Sequence, residues 1–370
     1  MPQSVHLVAT LAAPRSLSRA DDAPYLVYSA ATRLLVQRGD TELVVQEIGP
    51  PAAAWATAPE VSFSAPWPRR FGTATVSPAG DLAVFAGVHA LRAVDRSGSV
   101  LWELRHRCWA GCAGHSAFEE YAEDHDHRHA SGGSAGFSAD GKLVWAHVCG
   151  PLMQDRLDNG ETAEEWLVLD AADGSALARA ETDTAAAGSF HYMSPNPGQM
   201  GLSIGEGQDG SPLRWGRWDG GTLTVDRFND EDRILMAVSP SGDRLLTVTH
   251  DQDTLAVHRV DDGSVEAELN ADTVPRHPET EPEDDEAGAF FDYYGGFVDE
   301  GTAVVGTVES DEEFGRGRHW LVDTAPMRIT DELIYPYPVS GPPTALGDGT
   351  WYTQSATENA LHVWALHDMD

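Results

Sequence analysis

The chain has 370 residues, 41% of them apolar and 22% charged, enough to bury one large core or two ordinary ones. Its 59 acidic residues against 24 Lys and Arg give a formal charge of −35, which repels phosphate backbones and anionic membrane surfaces. Composition excludes collagen-like, coiled-coil and wholly disordered classes, and no run reaches the roughly 18 uninterrupted apolar residues of a membrane helix.

Neither nucleic acid nor membrane is therefore expected as a partner, whereas cationic partners or bound cations suit the charge. The start, Met1-Pro-Gln-Ser-Val-His6, lacks the basic opening and apolar stretch of a secretory signal, and the short run Val8–Pro14 is followed by Arg15. Cys108, Cys112 and Cys149 do not make a disulfide framework. A cytoplasmic protein with reduced thiols is expected.

In chain order, Val5–Leu11 reads as a lone strand. Tyr25–Tyr28, Arg33–Gln37 and Glu42–Gln46 then supply the strands of a first small sheet. Residues 51–68 are a Pro/Ala-rich loop carrying Trp55 and Trp67. A recurring phrase follows: Val76-Ser-Pro-Ala-Gly-Asp81, Phe137-Ser-Ala-Asp-Gly141, Met193-Ser-Pro-Asn-Pro-Gly198 and Val238-Ser-Pro-Ser-Gly-Asp243. Each places a Gly-containing turn between two strands, and the returning strands are Leu82–Phe85, Leu143–Val148, Met200–Ile204 and Leu245–Thr249. A third strand ends in a second turn at Ala93-Val-Asp-Arg-Ser-Gly98, Leu167-Val-Leu-Asp-Ala-Ala-Asp-Gly174, Trp218-Asp-Gly220 and Val260-Asp-Asp-Gly263. Fourth strands follow at Val100–Leu104, Ala176–Ala180, Leu223–Phe228 and Val265–Leu269. Weaker copies begin at Phe297-Val-Asp-Glu-Gly301 with Ala303–Val308, and at Ala345-Leu-Gly-Asp-Gly349 with Trp351–Thr353 and Leu361–Leu366.

The phrase serines, Ser77, Ser138, Ser194 and Ser239, are spaced by 61, 56 and 45 residues. A four-stranded unit of about 40–50 residues plus insertions is the signature of a β-propeller, because each small sheet has two apolar faces to bury on neighbours. Seven units are counted, the last short of a strand that Val5–Leu11 supplies. The Ser-Pro-x-Gly-Asp phrase and the Val/Leu-Asp turn ending in Gly make the chain similar to the WD40 and YVTN (quinoprotein-like) seven-bladed propellers over nearly its whole length. The Trp-Asp pair that closes WD40 repeats is missing from most units, Trp218-Asp219 being a lone instance. The resemblance implies an all-β, single-domain fold and leaves function open.

Insertions into such a repeat are the natural places for function. Three stand out: 51–68, 105–133 and 272–290, the last with the acidic run Glu279-Thr-Glu-Pro-Glu-Asp-Asp-Glu286. Residues 105–133 hold five of the 15 histidines and two of the three cysteines. Two ligand sets for zinc or another transition metal are available there. Cys108, Cys112 and His115 have C-x3-C-x2-H spacing, suited to a tight turn about a tetrahedral ion. His125, His127 and His129 would share one face of an extended strand, with Asp124 and Asp126 facing away or acting as acceptors behind them.

A second group of polar residues falls where propeller loops meet the channel mouth. His89, His191, Glu206, Asp209, Arg214, His250 and Asp292 are candidate ligand-binding residues, and His191, Glu206 and Asp209 are candidate catalytic groups. Phe291-Asp-Tyr-Tyr-Gly-Gly296 is expected to precede the inner strand of the sixth unit. Neither a nucleophile elbow, a Walker loop nor a His-Glu-x-x-His pair occurs. The sequence thus points to a binding or scaffold protein whose inserts meet a protein or peptide partner, or a small molecule at the channel mouth. The alternative is a metal-dependent small-molecule enzyme, or a metal-binding site, built from the 105–133 insertion.

Overall fold

The structure, a computed structural model, describes residues 3–16, 21–29, 32–49, 55, 57–112, 114–128, 131–153, 155, 163–228, 232–278, 288–308 and 318–366. His129, the acidic run 279–286 and part of the 51–68 loop lie outside them. The described residues are almost entirely β and form seven four-stranded antiparallel blades, the β-propeller class expected from the repeat.

The chain divides into two compact units. The first in sequence, Ala13–Arg227, holds four blades. Blade one is β2 (Tyr25–Tyr28), β3 (Arg33–Arg38), β4 (Glu42–Ile48) and β5 (Val61–Ser64). Blade two is β6 (Gly72–Val76), β7 (Leu82–Gly87), β8 (Ala90–Asp95) and β9 (Val100–Arg105). Blade three is β10 (Ala135–Phe137), β11 (Leu143–Cys149), β12 (Glu164–Asp170) and β13 (Ala176–Glu181). Blade four is β14 (Gly188–Met193), β15 (Gln199–Gly205), β16 (Leu213–Trp218) and β17 (Leu223–Arg227).

The other unit, Met1–Ala12 with Phe228–Asp370, holds three. Blade five is β18 (Arg233–Val238), β19 (Arg244–Thr249), β20 (Thr254–Arg259) and β21 (Val265–Asn270). Blade six is β22 (Phe291–Phe297), β23 (Thr302–Thr307), β24 (Arg318–Asp323) and β25 (Arg328–Ile334). Blade seven is β26 (Val339–Ala345), β27 (Thr350–Ser355), β28 (Ala360–Leu366) and, as expected, β1 (Gln3–Ala12), which runs antiparallel to β28 from Val5↔Leu366 to Ala12↔Ala360.

The repeated phrase works through its serine and its glycine. Ser77 Oγ accepts from the backbone N–H of Asp81 (3.1 Å) and Leu82 (3.2 Å); Ser138 accepts from Leu143 (3.0 Å) and Ser239 from Arg244 (3.1 Å). One hydroxyl thus ties the end of the first strand to the start of the second. Gly80, Gly141 and Gly242 sit at φ +64°, +70° and +82°, left-handed turn geometry that a Cβ disfavours. The third phrase, with Asn196 and Pro197, turns differently, and there Ser194 Oγ accepts from Asn196 N.

Middle strands alternate little because both of their faces are covered: β7 and most of β11 and β12 are buried throughout. Tryptophans fill the spaces between blades of the first unit. Trp145 and Trp166 lie 5.3 Å apart, and Trp102 reaches from blade two to donate its Nε1–H to Ala171 O (2.9 Å). Trp320, Trp351 and Trp364 are buried likewise in the other unit, and Trp55 and Trp67 of the first loop are buried too.

One boundary differs from the sequence reading. Phe291–Gly296 does not precede the inner strand of blade six; it is most of that strand. Pairing jumps from Phe291↔Thr307 to Gly295↔Val305, so the polar residues Asp292–Tyr294 bulge out while buried Phe291 keeps its place in the core.

Candidate metal centre

The 105–133 insertion leaves the end of β9 and is pinned at once to two blades. Backbone bonds run from His106 N to His89 O (3.0 Å), Arg107 N to Cys149 O (3.0 Å) and Trp109 N to Val88 O (3.0 Å). Trp109 is buried, and Gly111 at φ +76° closes a tight turn in which its N–H donates to Cys108 O. A single 3-10 turn, Phe118–Glu120, leads into further turns over 121–128. Phe118 packs on Phe71 of blade two (4.9 Å) and on Tyr121 (5.4 Å), giving the insertion a small aromatic base.

On that base four side chains converge. The sulfurs of Cys108 and Cys112 and one ring nitrogen each of His115 and His127 lie within 4.8 Å of one another. Cys112 Sγ is 3.0 Å from His115 Nε2 and 3.4 Å from His127 Nε2, and the two Nε2 atoms are 3.1 Å apart. The opposite ring nitrogens meet carboxylates: His115 Nδ1 donates to Glu120 (3.2 Å) and His127 Nδ1 to Asp124 (2.7 Å). Tyr121 stacks flat on His127 at 4.9 Å and leans on His115 at 4.8 Å. Its hydroxyl shares a 2.6 Å hydrogen bond with His89 Nδ1.

Electrostatics follow from depth. Cys108 is fully buried, and burial, then the neighbouring Cys112, pushes its thiol up to about 12, while the backbone N–H groups of Ala110 and Cys112 aimed at its sulfur work the other way. Burial pushes His89 down to about 4. The Ser116 hydroxyl and then the His115 ring hold exposed Glu120 below the usual carboxylate range; the Asp126 N–H and then the His127 ring do the same for Asp124. No disulfide joins Cys108, Cys112 and Cys149.

One expected ligand set assembles and the other does not. Cys108, Cys112 and His115 come together as their spacing suggested, and the fourth member is His127, taken from the other set. The extended strand expected for His125, His127 and His129 is instead a turn over 125–128, made because Asp124 accepts from both Asp126 N (3.1 Å) and the His127 ring. That coil throws the His125 side chain into solvent, 85% exposed beside Asp126, away from the cluster.

Of the candidate ligand-binding residues of the same unit, His191, Arg214 and Glu206 make internal hydrogen bonds. His191 lies within β14 rather than before it. Its Nε2 accepts from Trp166 Nε1 (2.9 Å), so its Nδ1–H donates to Ser134 Oγ (2.8 Å). Ser134 is 2.8 Å from Ser189 Oγ, which is 3.1 Å from His147 Nδ1, and His147 Nε2 faces Glu164 Oε2 at 3.2 Å. These hydrogen bonds run from Trp166 to His147 across blades three and four, and the His147 ring ends beside the Glu164 carboxylate. Burial opposes ionisation of Glu164, but bonds from His147 and Thr184 hold its carboxyl below the usual range. Burial, reinforced by His147, pushes His191 down to about 3.

Arg214 spends its guanidinium on the carbonyls of Thr182 (2.9 Å), Leu213 (3.2 Å) and Asp183 (3.4 Å), and burial lowers its pKa. Glu206 accepts from Ala185 N (2.7 Å), and Asp209 is exposed in a 3-10 turn. In the other unit His250 is half-buried beside Asp251, and Asp292 lies in the β22 bulge against Gly306. Ser134, His147, Glu164 and Ser189 were missed by sequence reasoning, since each comes from a different strand or loop and no local spacing links them.

No protein-family model and no curated protein matches the chain. Among solved structures it is similar to the C-terminal WD40 domain of Sif2, at 10% identity over 99% of each chain with a TM-score of 0.48. It is also similar to the β-propeller domain of Cps50 (Swd1) from Myceliophteria thermophila, at 10% identity over 80% of this chain and 97% of that one, with a TM-score of 0.37.

Proposed function

We propose that this chain is a binding propeller in which the folded 105–133 insertion is the recognition element, and that its partner is a basic protein or peptide segment. The observation that carries the reading is a contrast within one unit. His191 and Arg214 are consumed by internal hydrogen bonds, whereas the insertion is anchored to two blades and turns Glu119, Glu120, Glu123, Asp124 and Asp126 outward. Loops held by a rigid frame are where binding residues collect, and a one-signed edge steers an oppositely charged partner. A reducing compartment such as the cytoplasm suits the reading, because Cys108 and Cys112 sit in the recognition element as thiols.

The test is a basic-peptide array probed with the wild-type chain and with the triple variant Glu119→Lys, Glu123→Lys, Asp126→Lys. Peptides selected by the wild type should bind the variant at least about tenfold more weakly and lose affinity as salt is raised. Equal binding by both proteins, or an array with no selective peptide, overturns the assignment.

A further inference from the structure

We propose that Cys108, Cys112, His115 and His127 bind one zinc ion in a closed Cys2His2 site that holds the 105–133 insertion in its fold. The inference deepens the reading of the insertion as a recognition element, but its test is independent of any partner.

Three features carry it. The first is size and shape. A tetrahedral zinc site with ordinary bond lengths has S–N edges of about 3.6 Å and N–N edges of about 3.3 Å. Here the corresponding separations are 3.0 and 3.4 Å, and 3.1 Å. An ion entering the group spreads Cys112, His115 and His127 by only a few tenths of an ångström, with Cys108 Sγ within 4.8 Å of all three.

The second is the direction of the ring nitrogens. Glu120 and Asp124 accept hydrogen bonds from the two Nδ1 atoms, so Nε2 is the atom each ring turns into the cluster. These two nitrogens face each other at 3.1 Å with a sulfur beside both. A carboxylate behind each histidine is also the usual support of a zinc-bound imidazole.

The third is the chemistry and connectivity of the donors. Two thiols and two imidazoles select zinc over magnesium or calcium, which prefer oxygen. Four protein ligands fill a tetrahedron and leave no position for water or substrate, so the site is structural rather than catalytic. The ligands span residues 108 to 127, a stretch whose only described helical element is the 3-10 turn Phe118–Glu120. Such a segment has little core of its own, and ion binding supplies the folding free energy.

The full chain, produced without an affinity tag in zinc-supplemented medium, is the sample. Elemental analysis should find about one zinc per chain, and Cys108→Ser or His127→Ala should remove it. His125→Ala, altering the exposed neighbour outside the cluster, should keep full stoichiometry. Exchange of wild-type protein into cobalt reads the donor set without any variant, through the intense visible bands of a tetrahedral ion and a thiolate charge-transfer band. Glu120→Gln and Asp124→Asn should retain the metal but bind it about 10–100-fold more weakly in chelator competition. Less than about a tenth of an equivalent of zinc together with no cobalt spectrum overturns the site. So does an octahedral cobalt spectrum, full metal retention in the Cys108→Ser chain, or loss of metal on His125→Ala. Because metal content and spectrum need no partner, failure of the peptide array leaves this inference standing, and zinc-free protein that still selects peptides would sink it alone.

Discussion

Replacing His191 with Phe tests whether the relay from Trp166 to Glu164 is structural. The imidazole accepts a hydrogen bond from the Trp166 indole N–H and donates one to Ser134. Trp166 is fully buried and Ser134 nearly so. Loss of the ring leaves the indole N–H with no acceptor, at about 1–3 kcal/mol, while Ser134 keeps its bond to Ser189 and costs nearer the lower limit. His191→Phe should therefore destabilise by about 2–4 kcal/mol. Trp166→Phe removes the donor and strands the His191 acceptor. In the double variant neither partner is left waiting for the other, so the cycle should return a coupling of about 1–2 kcal/mol. Urea transitions followed by circular dichroism give the three stabilities, and hydrogen exchange at β11 and β12 amides assigns the loss to this unit. A coupling within about 0.5 kcal/mol of zero would refute the relay.

Two other substitutions probe different physics. In blade six His319 is buried, with Nδ1 2.8 Å from the Tyr335 hydroxyl and Nε2 3.1 Å from Gly341 O, and burial lowers it from 6.5 to about 4. The unfolded chain binds the extra proton first, so stability present above about pH 6.5 drains away as pH falls toward 4. His319→Gln should be weaker at pH 7.5 yet lose about 2 kcal/mol less than wild type between pH 7.5 and 5; parallel losses would contradict the linkage. Gly216 in β16 offers no room, as a Cβ there would lie 2.5 Å from Trp145 and 2.9 Å from Trp166. Gly216→Ala should cost about 1–3 kcal/mol in thermal or urea unfolding, and a neutral result would mean the tryptophan pair is looser than it looks.

The blades were legible because their signals are local. A serine that captures the next strand's N–H and a glycine at positive φ are written within six residues, so the phrase and its fold coincide at Ser77, Ser138 and Ser239. Strand β1 could be assigned to blade seven because that blade otherwise lacked a member. The ligand cluster was only half legible for the opposite reason. Cys108, Cys112 and His115 lie on one turn, and their spacing displays them. His127 joins them only through the path of 116–126, and Asp124 decides that path by bonding the turn behind it. A strand drawn through His125, His127 and His129 ignored that carboxylate. Positions such as His191 read as functional because buried and exposed histidines look alike in sequence, and nothing local marks Ser134 or Trp166 as their partners.

The pairing of β1 with β28 has a consequence for synthesis. Residues 3–12 are synthesised well before their partner, residues 360–366. Until those residues are made, this ten-residue segment exposes an unsatisfied ladder edge, the kind of edge that recruits stray strands. Its docking bridges nearly the full sequence, the slowest sort of contact to find. Slowing translation between the codons for β1 and those for β28 should therefore lengthen the interval of vulnerability to misassembly without altering the finished protein.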